Sequence, residues 1–297
     1  MKIIFLGTSS MLPTKDRNPT AILLNYKAEN ILIDCGEGTQ RQFRFAKIKP
    51  TKITKILITH WHGDHILGLP GLIQSLGANN YNKLLEIYGP KGTKNYFSNM
   101  LKSFNFPVRI KIKITEITET GTFYKNKDFE LSAIPLNHDI PTLAYSFKEK
   151  DKLKIKLDYT KKLGLTNHPL LGKLQKGQDI TYKNKKIKVK DATTLIKGKK
   201  VTFILDTAMC KNAIKIAKNS DLLICEATWA EELKEKIADY KHLIASDAAR
   251  IAKKSKSKQL VLTHFSQRYK NVQALQKEAK KIFKNTKTAK DFMEITI

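Results

Sequence analysis

Short apolar runs punctuate the chain at Ile3 to Leu6, Ile31 to Ile33, Ile56 to Ile58, Val201 to Leu205, Leu222 to Ile224 and Leu260 to Leu262. Their length and β-branched content predict strands buried on both faces, because such strands read as continuous apolar blocks. Amphipathic segments at Ala213 to Lys218, Glu231 to Ala238, Ser246 to Lys254 and Val272 to Phe283 alternate with the later runs and predict helices. Between 109 and 147, turn residues break a series of strand-like stretches. Strands and helices in alternation imply an α/β layered domain.

Residues 148–198 depart from this pattern. Lysines alternate with apolar residues at Lys152 to Leu157 and again at Lys186 to Lys190, with Gly164, Pro169, Gly172 and Gly177 between them. This predicts two solvated strands around a turn-rich tip, with no core of their own. The segment is then a protruding arm inserted into a core made of 1–147 and 199–297. From Lys148 to Lys200 there are 17 lysines, no arginine and 5 acids, a local net charge of +12. An insertion of that length without a core needs a use.

Charge suggests one. The 297 residues include 55 Lys+Arg against 27 Asp+Glu, a formal net charge of +28, which implies a polyanionic partner. A hydrophobic content of 41% supports a sizeable core and excludes disorder of the whole chain. No apolar run approaches the roughly 18 residues of a membrane span. Ile3 to Leu6 is followed by Pro13, Lys15, Asp16 and Arg17 rather than a cleavage site. Cys35, Cys210 and Cys225 are odd in number and far apart, which offers neither a disulfide framework nor a Cys-x-x-Cys site. The expectation is a soluble cytoplasmic protein with no membrane partner.

The stretch Thr59-His60-Trp61-His62-Gly63-Asp64-His65 directly follows the apolar run Lys55 to Ile58 and carries the chemistry. With a strand ending at His60, the turn after it aims two imidazoles at one point. Asp64 and His65, entering a helix, face a second. Nitrogen and carboxylate ligands without cysteine suit zinc, and manganese or iron are also compatible. Further ligand types stand at the ends of other runs: His138 after Leu131 to Leu136, Asp206 after Val201 to Leu205, and His264 after Leu260 to Thr263. An α/β layered fold gathers its site at such strand ends.

His60-x-His62-x-Asp64-His65 resembles the signature of the metallo-β-lactamase superfamily, which also holds lactamases, thioesterases and phosphodiesterases. An ordered set of further stretches resembles one nuclease family, ribonuclease Z, the tRNA 3′-processing endoribonucleases. The set comprises Phe5-Leu6-Gly7-Thr8-Ser9, Asp34 to Gln40, Gly68 to Leu72, Ile87-Tyr88-Gly89-Pro90, Asp206-Thr207, Glu226-Ala227-Thr228 and Leu262 to Tyr269. The resemblance implies an αββα sandwich with an inserted basic arm. It also implies that His60, His62 and His138 hold one zinc and Asp64, His65 and His264 the other, with Asp206 bridging. Asp64 would act as general base beside a hydroxide shared by the metals. His242, supported by Glu226, would protonate the leaving 3′-oxygen, although Leu243-Ile244 replaces the family's usual Ser-Thr. Asp34 and Glu37 read as supports behind the ligands. Ser266 and Arg268 read as phosphate contacts, with Arg268 equally suited to pair with a core carboxylate.

At the arm's tip, His168-Pro169-Leu170-Leu171-Gly172-Lys173 stands where the family has Gly-Pro-Leu, which makes Leu170, Gly172 and Lys173 substrate-binding candidates and leaves His168 without a role. The activity implied is a zinc-dependent cut of precursor tRNA after the discriminator nucleotide, giving a tRNA 3′-hydroxyl and a trailer 5′-phosphate. The chain would form a homodimer in which one subunit's arm holds the tRNA cut by the other. Two alternatives are a small-molecule phosphodiesterase or other hydrolase of the same superfamily, and a nucleic-acid-binding protein with a vestigial metal site. The +12 arm argues against the first, and the complete set of ligand types against the second.

Overall fold

The computed structural model describes residues 1–233, 235 and 238–297. Two seven-stranded sheets carry the fold. The first runs in the order Glu294–Thr296, Lys2–Gly7, Ala21–Tyr26, Glu29–Ile33, Lys55–Leu57, Leu84–Pro90, Lys111–Ile117. It is antiparallel as far as Glu29–Ile33 and parallel from there on. The second runs Thr286–Thr288, Leu260–Thr263, Leu222–Glu226, Lys200–Ile204, Leu143–Glu149, Phe129–Pro135, Gly121–Lys125.

Strand residues alternate between two apolar environments. Ile4, Leu6, Leu23, Leu32, Ile56 and Ile87 pack under helices Leu69–Ala78 and Thr93–Lys102 through Leu69, Leu72, Leu76 and Phe97. In the second sheet, Ile204, Leu223, Cys225, Leu260 and Leu262 pack under Ala213, Ala217, Ala248, Ala249, Ala252 and Leu275, small side chains that let the helices approach closely. The remaining faces meet each other. The Tyr145 hydroxyl donates to the Ile58 carbonyl at 2.7 Å, and the Tyr26 and Phe147 rings lie 5.1 Å apart. Phe5, Phe147 and Phe203 are fully buried, each worth roughly 2–3 kcal/mol of apolar transfer. The result is the expected αββα sandwich, and each apolar run named above gives most of its residues to one of its strands, with Ile58, Leu136 and Leu205 just past the strand ends. Among the described residues no helix is long and apolar enough to cross a membrane.

Two expectations need correction. A helix over Glu231 to Ala238 is replaced, on the residues that are described, by short 3-10 turns at Glu231–Leu233 and Ala238–Tyr240; residues 234, 236 and 237 lie outside the described residues. The basic segment also differs from the prediction. Lys125–Glu130 and Lys148–Lys199 form a compact unit with a small core of Leu165, Leu174, Ile180, Ile187 and Ala192. Strand Lys152–Ile155 pairs with Thr193–Ile196, Lys185–Ile187 pairs with Ile180–Tyr182, and Val189–Ala192 is helical. The Lys/apolar alternation marks a strand with one exposed face of lysines at Lys152–Ile155, but at Lys186 to Lys190 it runs from a strand into a helix, and it carries no information about which strand pairs with which.

Candidate metal centre

The centre lies where chain ends of both sheets converge. His60 and His62 sit in the turn after strand Lys55–Leu57, and Asp64 and His65 lie in the short helix Gly63–Ile66. His138 follows strand Phe129–Pro135, Asp206 follows Lys200–Ile204 and His264 follows Leu260–Thr263. Potential ligand atoms of His60, His62, His138 and Asp206 fall within 4.8 Å of one another, as do those of Asp64, His65 and His264. Asp206 faces both groups: Oδ2 is 3.6 Å from His60 Nε2, and Oδ1 is 3.4 Å from His65 Nε2 and 3.2 Å from His264 Nε2.

The hydrogen-bond network assigns the tautomers. His65 Nδ1 donates to Asp34 at 2.7 Å, His60 Nδ1 to the Thr59 hydroxyl at 3.0 Å, His264 Nδ1 to the Thr228 hydroxyl at 2.9 Å and His138 Nδ1 to the Lys241 carbonyl at 3.3 Å. Each ring therefore turns Nε2 inward, and that nitrogen is bare in the neutral form. Those atoms confront other nitrogens: His60 Nε2 and His138 Nε2 lie 3.1 and 3.2 Å from His62 Nδ1, and His65 Nε2 lies 3.2 Å from His264 Nε2. Buried Asp206 Oδ1 has no hydrogen-bond partner. Ring nitrogens crowded at 3.1–3.2 Å beside a buried carboxylate oxygen with no hydrogen-bond partner are an arrangement that a cation resolves. The donor set thus fits a divalent metal.

Electrostatics set the charge of each ring differently. Burial, with the neighbouring His65, pushes the His60 imidazole well down and keeps it neutral. For His65, burial is overcome by the Asp206, Asp64 and Asp34 carboxylates, which push it well up. Asp206 stays far below the carboxylate range, because the surrounding imidazoles outweigh its burial. Backbone strain marks the same residues: Asp34, Asp206 and His264 adopt left-handed φ values of 57°, 50° and 57°.

His242 is 3.0 Å from Glu226 and 3.8 Å from Asp206, both through Nδ1. Glu226 is wholly buried and also accepts from the Thr207 amide and the Thr228 hydroxyl, both at 2.6 Å. Burial lowers the His242 imidazole, but the charges of Glu226 and Asp206 and the bond to Glu226 win and push it up to about 9. Leu243 and Ile244, which replace the family's polar pair, are buried and anchor the His242 turn in the core. His242 lines a cavity of about 450 Å³ with Trp229, Tyr240, Ser266 and Arg268. Ser266 is itself buried, while the Arg268 guanidinium lies 5.4 Å over the Trp229 ring.

Other candidates lie elsewhere. Asp34 accepts from the Thr59 amide and hydroxyl, both at 2.7 Å, as well as from His65, and so holds two ligand-bearing segments. Glu37 is exposed and offers only its backbone carbonyl, to Asn18, so it does not support a ligand. Leu170, Gly172 and Lys173 belong to helix Leu170–Gln175 in the basic unit; Leu170 packs against that unit's core and Lys173 is exposed. His168 has a local job after all: its Nδ1 accepts the Leu170 amide at 3.2 Å, and its ring meets Tyr182 at 5.3 Å. Sequence reasoning gave Thr59 and Thr228 no role. Their position beside ligands was the available signal, but a hydroxyl at a strand end is common.

A ribonuclease Z of Methanothermobacter thermautotrophicus is 38% identical over 298 residues, covering 100% of this chain and 97% of its own. The chain belongs to the ribonuclease Z family. A second ribonuclease Z, from Thermococcus onnurineus, is 43% identical over 271 residues, covering 91% and 86%. Residues 1–160 match the family model described as anti-Pycsar protein Apyc1. Among solved structures, human tRNase Z, short form, is 28% identical with a TM-score of 0.74, covering 100% of this chain and 99% of that one. The metallo-β-lactamase fold protein YhfI from Bacillus subtilis, at 18% identity and a TM-score of 0.71 over 99% and 98%, shares the fold. In this ribonuclease Z family member, the groups His60, His62, His138 and Asp206 and Asp64, His65 and His264 are the ones that could hold a divalent metal.

Proposed function

We propose that this protein is a metal-dependent endoribonuclease that removes the 3′ trailer of precursor tRNA. The observation that carries the reading is the His242–Glu226 pair set 3.0 Å apart beside the two ligand groups. Hydrolysis of a phosphodiester needs both an activated water and a proton for the departing oxygen. His60, His62, His138 and Asp206 would hold one ion and Asp64, His65, His264 and Asp206 a second, with zinc the best match to the donors and manganese a possible substitute. When bound, such ions supply Lewis acidity to the phosphoryl oxygens and a water that ionises near neutral pH.

The chain's own residues do the rest. Asp64 keeps its carboxylate ionised, since the charges of His65 and His264 outweigh its burial, and accepts the proton of the attacking water. Glu226 fixes the His242 ring through Nδ1, leaving Nε2 to deliver a proton to the 3′-oxygen as the P–O3′ bond breaks. The tRNA leaves with a 3′-hydroxyl and the trailer with a 5′-phosphate. Arg268 takes a phosphate beside the cut, and Ser266 holds the adjoining backbone.

The basic unit gives the substrate its second hold. Its lysines read backbone phosphates and helix shape, with Leu170, Gly172 and Lys173 in the contact region and affinity falling steeply with salt. In a homodimer, one subunit's basic unit serves the tRNA cut by its partner. The setting is the cytoplasm, where precursor tRNA is available.

An end-labelled precursor tRNA carrying a trailer tests the reading. The expected result is a single cut after the discriminator that chelator abolishes and that Asp64→Ala lacks. Metal-loaded protein that binds the precursor but leaves it whole would move the assignment to small-molecule hydrolysis. Deleting Lys152 to Lys190 should weaken tRNA cleavage while sparing a small phosphodiester.

A further inference from the structure

The loop from Ser10 to Asn18 separates two cavities. Ser10 and Met11 border the one that holds His242 and Arg268. Thr14, Lys15, Arg17 and Asn18 border another, of about 240 Å³, whose opposite wall is Arg41, Phe45, Asp291 and Phe292. Phe45 is 55% exposed and Phe292 40%. Their rings meet edge to face at 6.1 Å, and the Arg41 guanidinium lies 4.7 Å over Phe45. Paired phenylalanines left in water add little to a core, yet both stand on firm backbone. Phe45 ends helix Thr39–Phe45, and the Phe292 amide donates to the Phe5 carbonyl at 2.7 Å.

The walls are braced from inside. Asp291 accepts from the Thr8 hydroxyl at 2.7 Å, the Asn18 amide at 2.8 Å and the Gln42 side-chain amide at 3.0 Å. With that carboxylate bonded inward, the rim presents Lys15, Arg17 and Arg41 against Asp16. Cations interleaved with exposed aromatic rings form the surface that single-stranded nucleic acid selects, phosphates to the cations and bases to the rings.

Two contacts tie this cavity to the metal centre. Arg17 Nη2 donates to the Ser266 carbonyl at 3.2 Å, two residues beyond His264. Asn18 Nδ2 donates to the Glu37 carbonyl at 2.6 Å, in the turn that follows Asp34. His242 lines the other cavity, so the departing 3′-oxygen and the last tRNA nucleotide belong there. A strand continuing past the cut would cross the loop to reach the second cavity.

We infer that the cavity between Arg41, Phe45 and Phe292 binds the single-stranded RNA downstream of the cut, stacking its bases on the two phenylalanines and pairing its phosphates with Arg41 and Lys15. This rests on the endoribonuclease reading. The site is sequence-tolerant, because every base offers a stacking face.

The test compares Phe45→Ala/Phe292→Ala and Arg41→Ala with the parent, all shown to melt normally, on two precursors that differ only in trailer length, one nucleotide against eight. For the long trailer KM should rise about 10-fold at constant kcat, and for the short one neither should change. In parallel, metal-loaded protein is titrated with labelled 5′-phosphorylated octauridylate, and the variants should bind it about 10-fold more weakly. An equal KM change on both trailers, or none on either, overturns the inference while leaving the endoribonuclease reading intact. If the parent cuts neither precursor, that reading fails, and octauridylate binding alone decides the site: unchanged affinity in the variants removes it.

Discussion

Strand Lys55–Leu57 starts from one buried polar cluster and leads into another, and the two are built on opposite terms. Lys55 is almost fully buried, with Glu29 at 3.0 Å, Glu86 at 3.2 Å and the Tyr124 ring 4.5 Å from its ammonium. Every charge there has its partner within the chain. Past the other end, His60 and His138 bring Nε2 to 3.1 and 3.2 Å from His62 Nδ1, and Asp206 Oδ1 has no hydrogen-bond partner. The first cluster is complete when the chain folds. The second is complete only with a cation from outside, so its free energy is coupled to metal supply. A fold can therefore place stability and chemistry on one strand without either compromising the other.

The contrast is sharpest in activity. His242→Ala should lower precursor tRNA cleavage by about 10²–10⁴-fold, the usual contribution of a positioned acid. The same variant should still hydrolyse a bis(nitrophenyl) phosphate, whose leaving group needs no proton. Equal loss on both substrates would show that His242 supports the metal ligands instead.

Next in size comes the Lys55 cluster. Lys55→Met should cost about 3 kcal/mol in denaturant unfolding, because it strands two carboxylates around an apolar side chain. Adding Glu29→Gln should recover part of that loss. Turnover per metal-loaded molecule should not change; a drop would mean that the two ends of the strand communicate.

Asp34→Asn is a smaller step. It removes the charge that holds the His65 proton and should weaken metal binding about 10–100-fold, read by competition with a chromogenic chelator. The fold should persist, since the Thr59 amide can still find an acceptor.

The smallest effect is a pH dependence away from both clusters. Burial pushes the Asp291 carboxyl up to about 6, against the donors Asn18 and Thr8 and the charge of Arg17. A raised carboxyl favours the folded state fully below its unfolded value, 3.8, and loses that contribution as pH rises through about 6. Between pH 4.5 and 7.5 the parent should therefore lose on the order of 2 kcal/mol relative to Asp291→Asn, measured by paired thermal melts. A constant difference across that range would mean that the carboxyl titrates normally.

The apolar runs announced the sandwich because strands covered on both faces must be apolar throughout, and Ile3, Ile56 and Leu260 had no other place to go. The ligand-bearing cluster His60 to His65 was equally plain, since its residues are local in sequence. What the sequence hid was pairing and support. Nothing in Lys186 to Lys190 says that it divides between a strand and a helix, or that Thr193–Ile196 takes the place beside Lys152–Ile155. The small core of Leu165, Leu174 and Ile187 is spread too thinly along the chain to show a period. Thr59 and Thr228 gain meaning only when distant segments fold against them, as Asp34 does for Thr59 and His264 for Thr228.

The centre's ligands also differ in when they become available. A chain emerging from the ribosome presents His60, His62, Asp64 and His65 together, long before Asp206 and His264 exist. The local four arrive as one segment, while the left-handed turns at Asp206 and His264 reach them only after both sheets have met. The complete ligand set is thus a property of the finished fold and of no single stretch of chain.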